Sequence, residues 1–170
     1  VQSWTPTRVS WGSGPPFSLT GLDDVIDTEL MADTNGSGAL ELVALSRSAA
    51  RAVVRDLLSG ADLGTIQYSA DLDPIALELG DDPTGTGIPD LASLGGDPAR
   101  VQIRDALTSG LASGVEFSSY VTGTDLEVYP DLDGNGAADV ALLGQRPSDD
   151  QLQVMVQDAR TGERLAFVWF

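Results

Sequence analysis

The stretch DLDGNGAADVALLG, residues 131–144, occurs in two further versions: DPTGTGIPDLASLG at 82–95 and DTNGSGALELVAL at 33–45. The three begin at Asp33, Asp82 and Asp131, so successive copies lie 49 residues apart. The same offset carries Arg55-Asp56 onto Arg104-Asp105, Ile66 onto Val115 and Tyr68 onto Phe117. It also carries Leu77-Glu78-Leu79 onto Leu126-Glu127-Val128. Glu29, Glu78 and Glu127 each stand four residues before the repeated aspartate. Agreement in register over whole units marks a tandem repeat, and the fold must be read one unit at a time.

After the third copy the register resumes past a four-residue insertion near residues 146–150. Val154, Val156 and Asp158 follow Val101, Ile103 and Asp105, and Phe170 falls on Phe117. The spacing therefore divides the chain into a divergent first repeat at 1–49, a second at 50–98 and a third at 99–149. Residues 150–170 form a partial repeat holding the first two strands of a unit, free to complete a neighbouring subunit.

Within a unit the apolar residues alternate. QLQVMVQ places Leu152, Val154 and Val156 on one side, which is strand periodicity. Four strands per unit follow, as at 101–105, 114–118, 125–129 and 139–143, separated by Gly-, Ser- and Asp-rich turns. The segment SAARAVVRDLLSG, 48–60, has helical spacing of its apolar residues, but its repeat mates do not, and equivalent units share a structure. It too is expected as a strand. The predicted fold is all-β: tandem four-stranded antiparallel, blade-like repeats, each with a loop between its third and fourth strands. About three and a half units are too few to close a propeller in one chain, so an open array is expected.

Composition narrows the chemistry. The 170 residues carry 26 acidic side chains against 9 basic ones, a net charge of −17, with no cysteine or histidine, and every basic residue is arginine. Disulfides, the usual zinc sites, His-dependent triads and lysine-bearing phosphate loops are excluded. Nucleic acid and anionic lipid are repelled, whereas cations are attracted. No apolar run approaches the roughly 18 residues of a membrane span. VQSWTPTRVSW, at the amino terminus, lacks the regions of a signal peptide, so any export signal is expected to be removed or absent. Paired carboxylates can hydrolyse glycosides, but the repeated ones here are taken up by a cation, and no enzyme is expected.

The cation loop is clearest in the third copy. Counting nine positions from Asp131, oxygen-bearing side chains stand at the first, third, fifth and ninth: Asp131, Asp133, Asn135 and Asp139, with Gly136 sixth. Calcium takes six to eight oxygens from carboxylates, amides, carbonyls and water. Glycine allows the backbone to fold around the ion, and the Ala137 carbonyl is the natural backbone ligand. An EF-hand starts the same way but needs a bidentate glutamate at position twelve, which here holds Leu142, Ala44 or Ser93.

The spacing D-x-D-x-N-G-x-x-D, in register with strands on both sides, resembles the calcium loop of integrin-α-type FG-GAP and VCBS-like repeats, where it joins two strands of a propeller blade. That resemblance implies a calcium-stabilised extracellular or cell-surface repeat protein, structural or adhesive. Carried onto the other copies, the first loop offers Asp33, Asn35, Ser37 and Glu41, and the second Asp82, Thr84, Thr86 and Asp90. Up to three Ca2+ ions are expected, the third loop binding tightest because it holds three carboxylates rather than two. Such stretches are also good turns. Asn35-Gly36-Ser37 is a glycosylation sequon, in which sugar and calcium would compete for Asn35. Glu29, Glu78 and Glu127 are expected on a solvated strand face.

The expected function is an extracellular calcium-binding structural protein that self-associates head to tail through its C-terminal strands into a fibre or surface array. The alternatives are an adhesion module recognising a glycan or cell-surface protein, and a seven-bladed ring closed by two chains.

Overall fold

A computed structural model describes residues 22–80, 82, 86–117 and 121–170. Twelve strands run along it: β1 (Val25–Met31), β2 (Glu41–Ser46), β3 (Arg51–Asp56), β4 (Asp62–Gln67), β5 (Pro74–Leu79), β6 (Asp90–Gly96), β7 (Ala99–Asp105), β8 (Leu111–Glu116), β9 (Thr122–Tyr129), β10 (Asp139–Arg146), β11 (Gln151–Asp158) and β12 (Arg164–Trp169). They form three four-stranded sheets, each a meander in chain order and antiparallel throughout. The described residues contain no helix, and so none long and apolar enough to cross a membrane. The all-β, repeat-built, open array expected from the sequence is what the chain forms. The segment with helical spacing is β3, its apolar residues drawn into a ladder by β2 and β4 on either side.

The sheets are phased half a unit away from the sequence divisions. The boundaries at 49/50, 98/99 and 149/150 fall in the β2–β3, β6–β7 and β10–β11 turns, so each sheet takes two strands from either side of a boundary. The loop between the third and fourth strands of a sequence unit is thus the connection between the first and second strands of a sheet. Residues 150–170 supply β11 and β12, which pair onto β10 and complete the third sheet within the same chain.

The core lies between sheets. Val43, Leu45, Ala52, Val54, Ile66 and Tyr68 of the first sheet bury against Leu72, Leu77 and Leu91 of the second. At the equivalent positions, Ala92, Leu94, Val101, Ile103, Val115 and Phe117 of the second sheet bury against Leu126, Val140, Leu142 and Met155 of the third. Each fully buried Leu, Ile or Val contributes roughly 1.5–3 kcal/mol. β2 and β6 are buried on both faces. The sheets meet along their first strands, β5 packing against β1 on one side and β9 on the other. Polar ties cross the first junction as well: the Leu77 N–H donates to Asp27 Oδ2 at 2.8 Å, and the Gln67 N–H to Ser109 Oγ at 2.9 Å.

Candidate metal centre

Each repeated loop bridges the first two strands of its sheet. The carboxylate at its first position gathers the loop's backbone amides. Asp131 Oδ1 accepts from the N–H groups of Gly134 (2.6 Å) and Asn135 (3.0 Å), and Oδ2 from Gly136 (2.7 Å). Asp33 does the same with Gly36 (2.7 Å), Ser37 (3.1 Å) and Gly38 (2.7 Å). Asp82 takes Thr86 (2.9 Å) and Gly87 (2.5 Å). The sixth-position glycine is left-handed in every copy, with φ of 84° at Gly38, 84° at Gly87 and 85° at Gly136, a conformation that Cβ disfavours. These bonds hold Asp131 below the ordinary carboxylate range, the Gly136 N–H contributing most.

The ninth position is inside the protein. Glu41, Asp90 and Asp139 open the second strand of each sheet and are all 0% exposed. Glu41 Oε1 accepts from the Thr34 N–H (2.9 Å) and hydroxyl (3.1 Å), and Asp139 Oδ2 from the Leu132 N–H (2.6 Å). The other oxygens, Glu41 Oε2 and Asp139 Oδ1, are buried with no hydrogen-bond partner. An anionic oxygen left so costs far more than an exposed one. The Asp139 carboxyl is correspondingly raised, by burial first and then by the charges of Asp133, Asp158 and Asp131, against the opposing Leu132 N–H.

Between these ends lie the third, fifth and seventh positions. Asn35 Oδ1 accepts from the Ser37 N–H (2.7 Å), and Asp133 Oδ1 from the Asn135 N–H (3.0 Å). Asn135 Oδ1 accepts from the Ala137 N–H at 2.8 Å. Thr84 lies outside the described residues. Among the described residues, no three His, Cys, Asp or Glu side chains already form a metal-holding group. The donor set nonetheless suits a hard cation: carboxylates, amide and hydroxyl oxygens, and two buried anionic oxygens lacking a positive partner.

Sequence reasoning saw Asp56, Asp105 and Asp158 only as register marks. The structure sets them directly across the strand pairs from the ninth-position acids: Glu41 opposite Asp56, Asp90 opposite Asp105, Asp139 opposite Asp158. All are at most 1% exposed. Their recurrence in all three copies, as the last residue of β3, β7 and β11, was the available signal. In each, one oxygen receives the fifth loop side chain. Ser37 Oγ donates to Asp56 Oδ2 at 2.5 Å, Thr86 Oγ1 to Asp105 Oδ2 at 2.8 Å, and Asn135 Nδ2 to Asp158 Oδ2. The other oxygen caps the next hairpin turn, through the N–H groups of Ser59 (2.5 Å), Thr108 and Thr161 (2.5 Å).

These donors keep the aspartates ionised despite burial. The Ser37 hydroxyl, then those from Ser59, hold Asp56 well below the usual range. At Asp105 burial pushes upward, but bonds from Thr108, Thr86 and Leu107 outweigh it and hold the group at about 2. Asp158 is likewise lowered, burial being outweighed by Thr161, Asn135 and Arg160.

Of the repeated glutamates, Glu127 is exposed, whereas Glu29 and Glu78 are only partly so. Glu78 on β5 is half-buried, and its carboxyl is pushed up to about 7, by burial first and then by Glu29, Glu127, Asp27 and Asp125 on the flanking first strands.

No protein-family model and no curated protein matches this chain.

Proposed function

We propose that this is a calcium-binding structural repeat protein of the extracellular space or cell surface, in which each loop holds one Ca2+ ion and thereby stiffens its sheet. The observation that carries the reading is the pair of orphaned, fully buried oxygens, Glu41 Oε2 and Asp139 Oδ1, in loops of repeated geometry. A hard divalent cation supplies the positive charge they lack. Asp131, Asp133, Asn135, the Ala137 carbonyl and Asp139 would hold it in the third loop. Asp33, Asn35, Ser37 and Glu41 would hold it in the first, and Asp82, Thr84, Thr86 and Asp90 in the second. Calorimetric titration of metal-free protein with Ca2+ tests this directly. Three sites, or fewer with the third loop filling first, are expected, and no heat or shift in melting temperature at millimolar Ca2+ would refute it.

Self-association belongs to the same reading. The six positions that bury the first sheet on the second, and the second on the third, recur on the third sheet as Ala141, Leu143, Val154, Val156, Val168 and Phe170. There Leu143 is 36%, Val168 50% and Phe170 75% exposed. A surface of this composition favours assembly through the C-terminal strands, as the sequence suggested, by sheet-face packing rather than strand exchange. With the three sheets of the described residues, a two-chain ring would be six-bladed, in place of the seven that the half-unit count implies.

A further inference from the structure

We infer that Asp56, Asp105 and Asp158, which lie outside the nine-residue loops, are positioning residues for the loop cation: each orients the fifth loop side chain toward the ion and ties the loop to the next hairpin. The inference rests on the calcium reading above and adds a strand-borne group to it.

Three different side chains occupy the fifth position, Ser37, Thr86 and Asn135, and all three donate a hydrogen bond to the aspartate facing them. What these residues share is a donor and an acceptor on one short side chain. With the donor turned to the aspartate, the side-chain oxygen faces the loop, where in Asn135 it accepts the Ala137 N–H (2.8 Å) and in Ser37 the Ala39 N–H (3.2 Å), and its second lone pair is the one a cation would take. For Asn135 this also fixes which way the amide is turned, since Nδ2 donates to Asp158 and, at 3.1 Å, to Asp133 Oδ2. A carboxylate behind a metal ligand orients that ligand and raises its basicity, and its loss typically weakens metal binding by about 10–100-fold.

The pairing also accounts for a feature of the sequence. The fifth position of the third loop is asparagine although its first, third and ninth positions are aspartate. An aspartate there would have no proton to give and would face the buried Asp158 charge. The second consequence is mechanical. Asp158 Oδ1 caps the turn after β11 through Arg160 (3.1 Å) and Thr161 (2.5 Å), so the group that holds the ligand also holds the β11–β12 hairpin. Asp56 and Asp105 do the same for the β3–β4 and β7–β8 turns.

The test uses the whole chain and Tb3+ as the probe, its luminescence sensitised by Tyr129, two residues before Asp131, and displaced by Ca2+. Tyr129→Phe assigns the signal to the third loop. Simple ligand charge predicts that Asn135→Asp tightens binding. The positioning role predicts the opposite: Asn135→Asp and Asp158→Asn each weaken Ca2+ displacement about 10-fold or more, and the double exchange Asn135→Asp with Asp158→Asn restores it, because donor and acceptor have changed places. Melting in chelator shows whether each variant folds. If Asn135→Asp unfolds, the comparison of Asp158→Asn with the double exchange decides. An affinity unchanged in Asp158→Asn, or tightened in Asn135→Asp alone, overturns the positioning role and leaves the calcium reading intact. Wild-type protein that binds neither Tb3+ nor Ca2+ removes both.

Discussion

Asp139 and Asp158 face each other across β10 and β11, both 0% exposed, yet they are held in opposite electrostatic conditions. Asp158 is surrounded by donors and stays ionised, whereas Asp139 keeps an oxygen without one and its carboxyl is raised. Two carboxylates side by side in the interior are stable only if something positive joins them or one takes up a proton. The same register sets Glu41 opposite Asp56 and Asp90 opposite Asp105, so the facing acid pair is a property of the repeat.

Calcium is expected to raise the melting temperature by mass action. At 100 times the dissociation constant, one site adds about 2.7 kcal/mol. Scanning calorimetry with 5 mM Ca2+ and with excess chelator measures it. Asp131→Ala should remove more of the gain than Asp82→Ala, since the third loop carries more carboxylates. Equal losses would contradict the ranking.

Stability should fall as pH rises from about 5 to about 7. Glu78 has an ordinary value of 4.5 and is pushed up to about 7 in the fold, so the native state binds the extra proton between these limits. Its stabilising contribution is present below the unfolded value and lost as pH passes through the folded one. Glu78→Gln in chelator should flatten this part of the profile and raise the melting temperature at pH 8. A profile in Glu78→Gln that parallels wild type would show that the first-strand acids do not cause it.

Neighbouring leucines on β10 should behave very differently. Leu142 is fully buried against the second sheet, while Leu143 lies on the opposite face, 36% exposed. Leu142→Ala is expected to cost about 2–5 kcal/mol in urea unfolding. Leu143→Ala, measured on dilute protein, should cost under about 1.5 kcal/mol. Similar losses would mean that the outer face of the third sheet is already covered.

Association should depend on that outer face. Sedimentation velocity in Ca2+ over a wide concentration range is expected to show self-association, abolished by Leu143→Lys with Val168→Lys. Calcium titration of the same variant should be unchanged. Wild-type protein that stays monomeric at the highest concentration would rule out assembly through this surface.

Much of this molecule was legible in its residues because the repeat is written locally. Alternating apolar side chains specify strands, and the spacing of Asp131, Asn135 and Gly136 specifies the loop, since a carboxylate can reach amides three to five residues ahead and glycine accepts the left-handed turn. The 49-residue offset determined the period and hence that the sheets are alike. A period has no origin, however, and the phase was decided by tertiary structure: the chain leaves one sheet for the next after β4 and β8, where the following strand gains more by packing across than by extending the ladder. The acid pairs were likewise invisible, because Asp139 and Asp158 stand 19 residues apart and meet only through antiparallel register. The grouping of Glu29, Glu78 and Glu127 needed still more distant contacts, between first strands of separate sheets. Local spacing sets what a segment can form, whereas burial and charge depend on which segments are brought face to face.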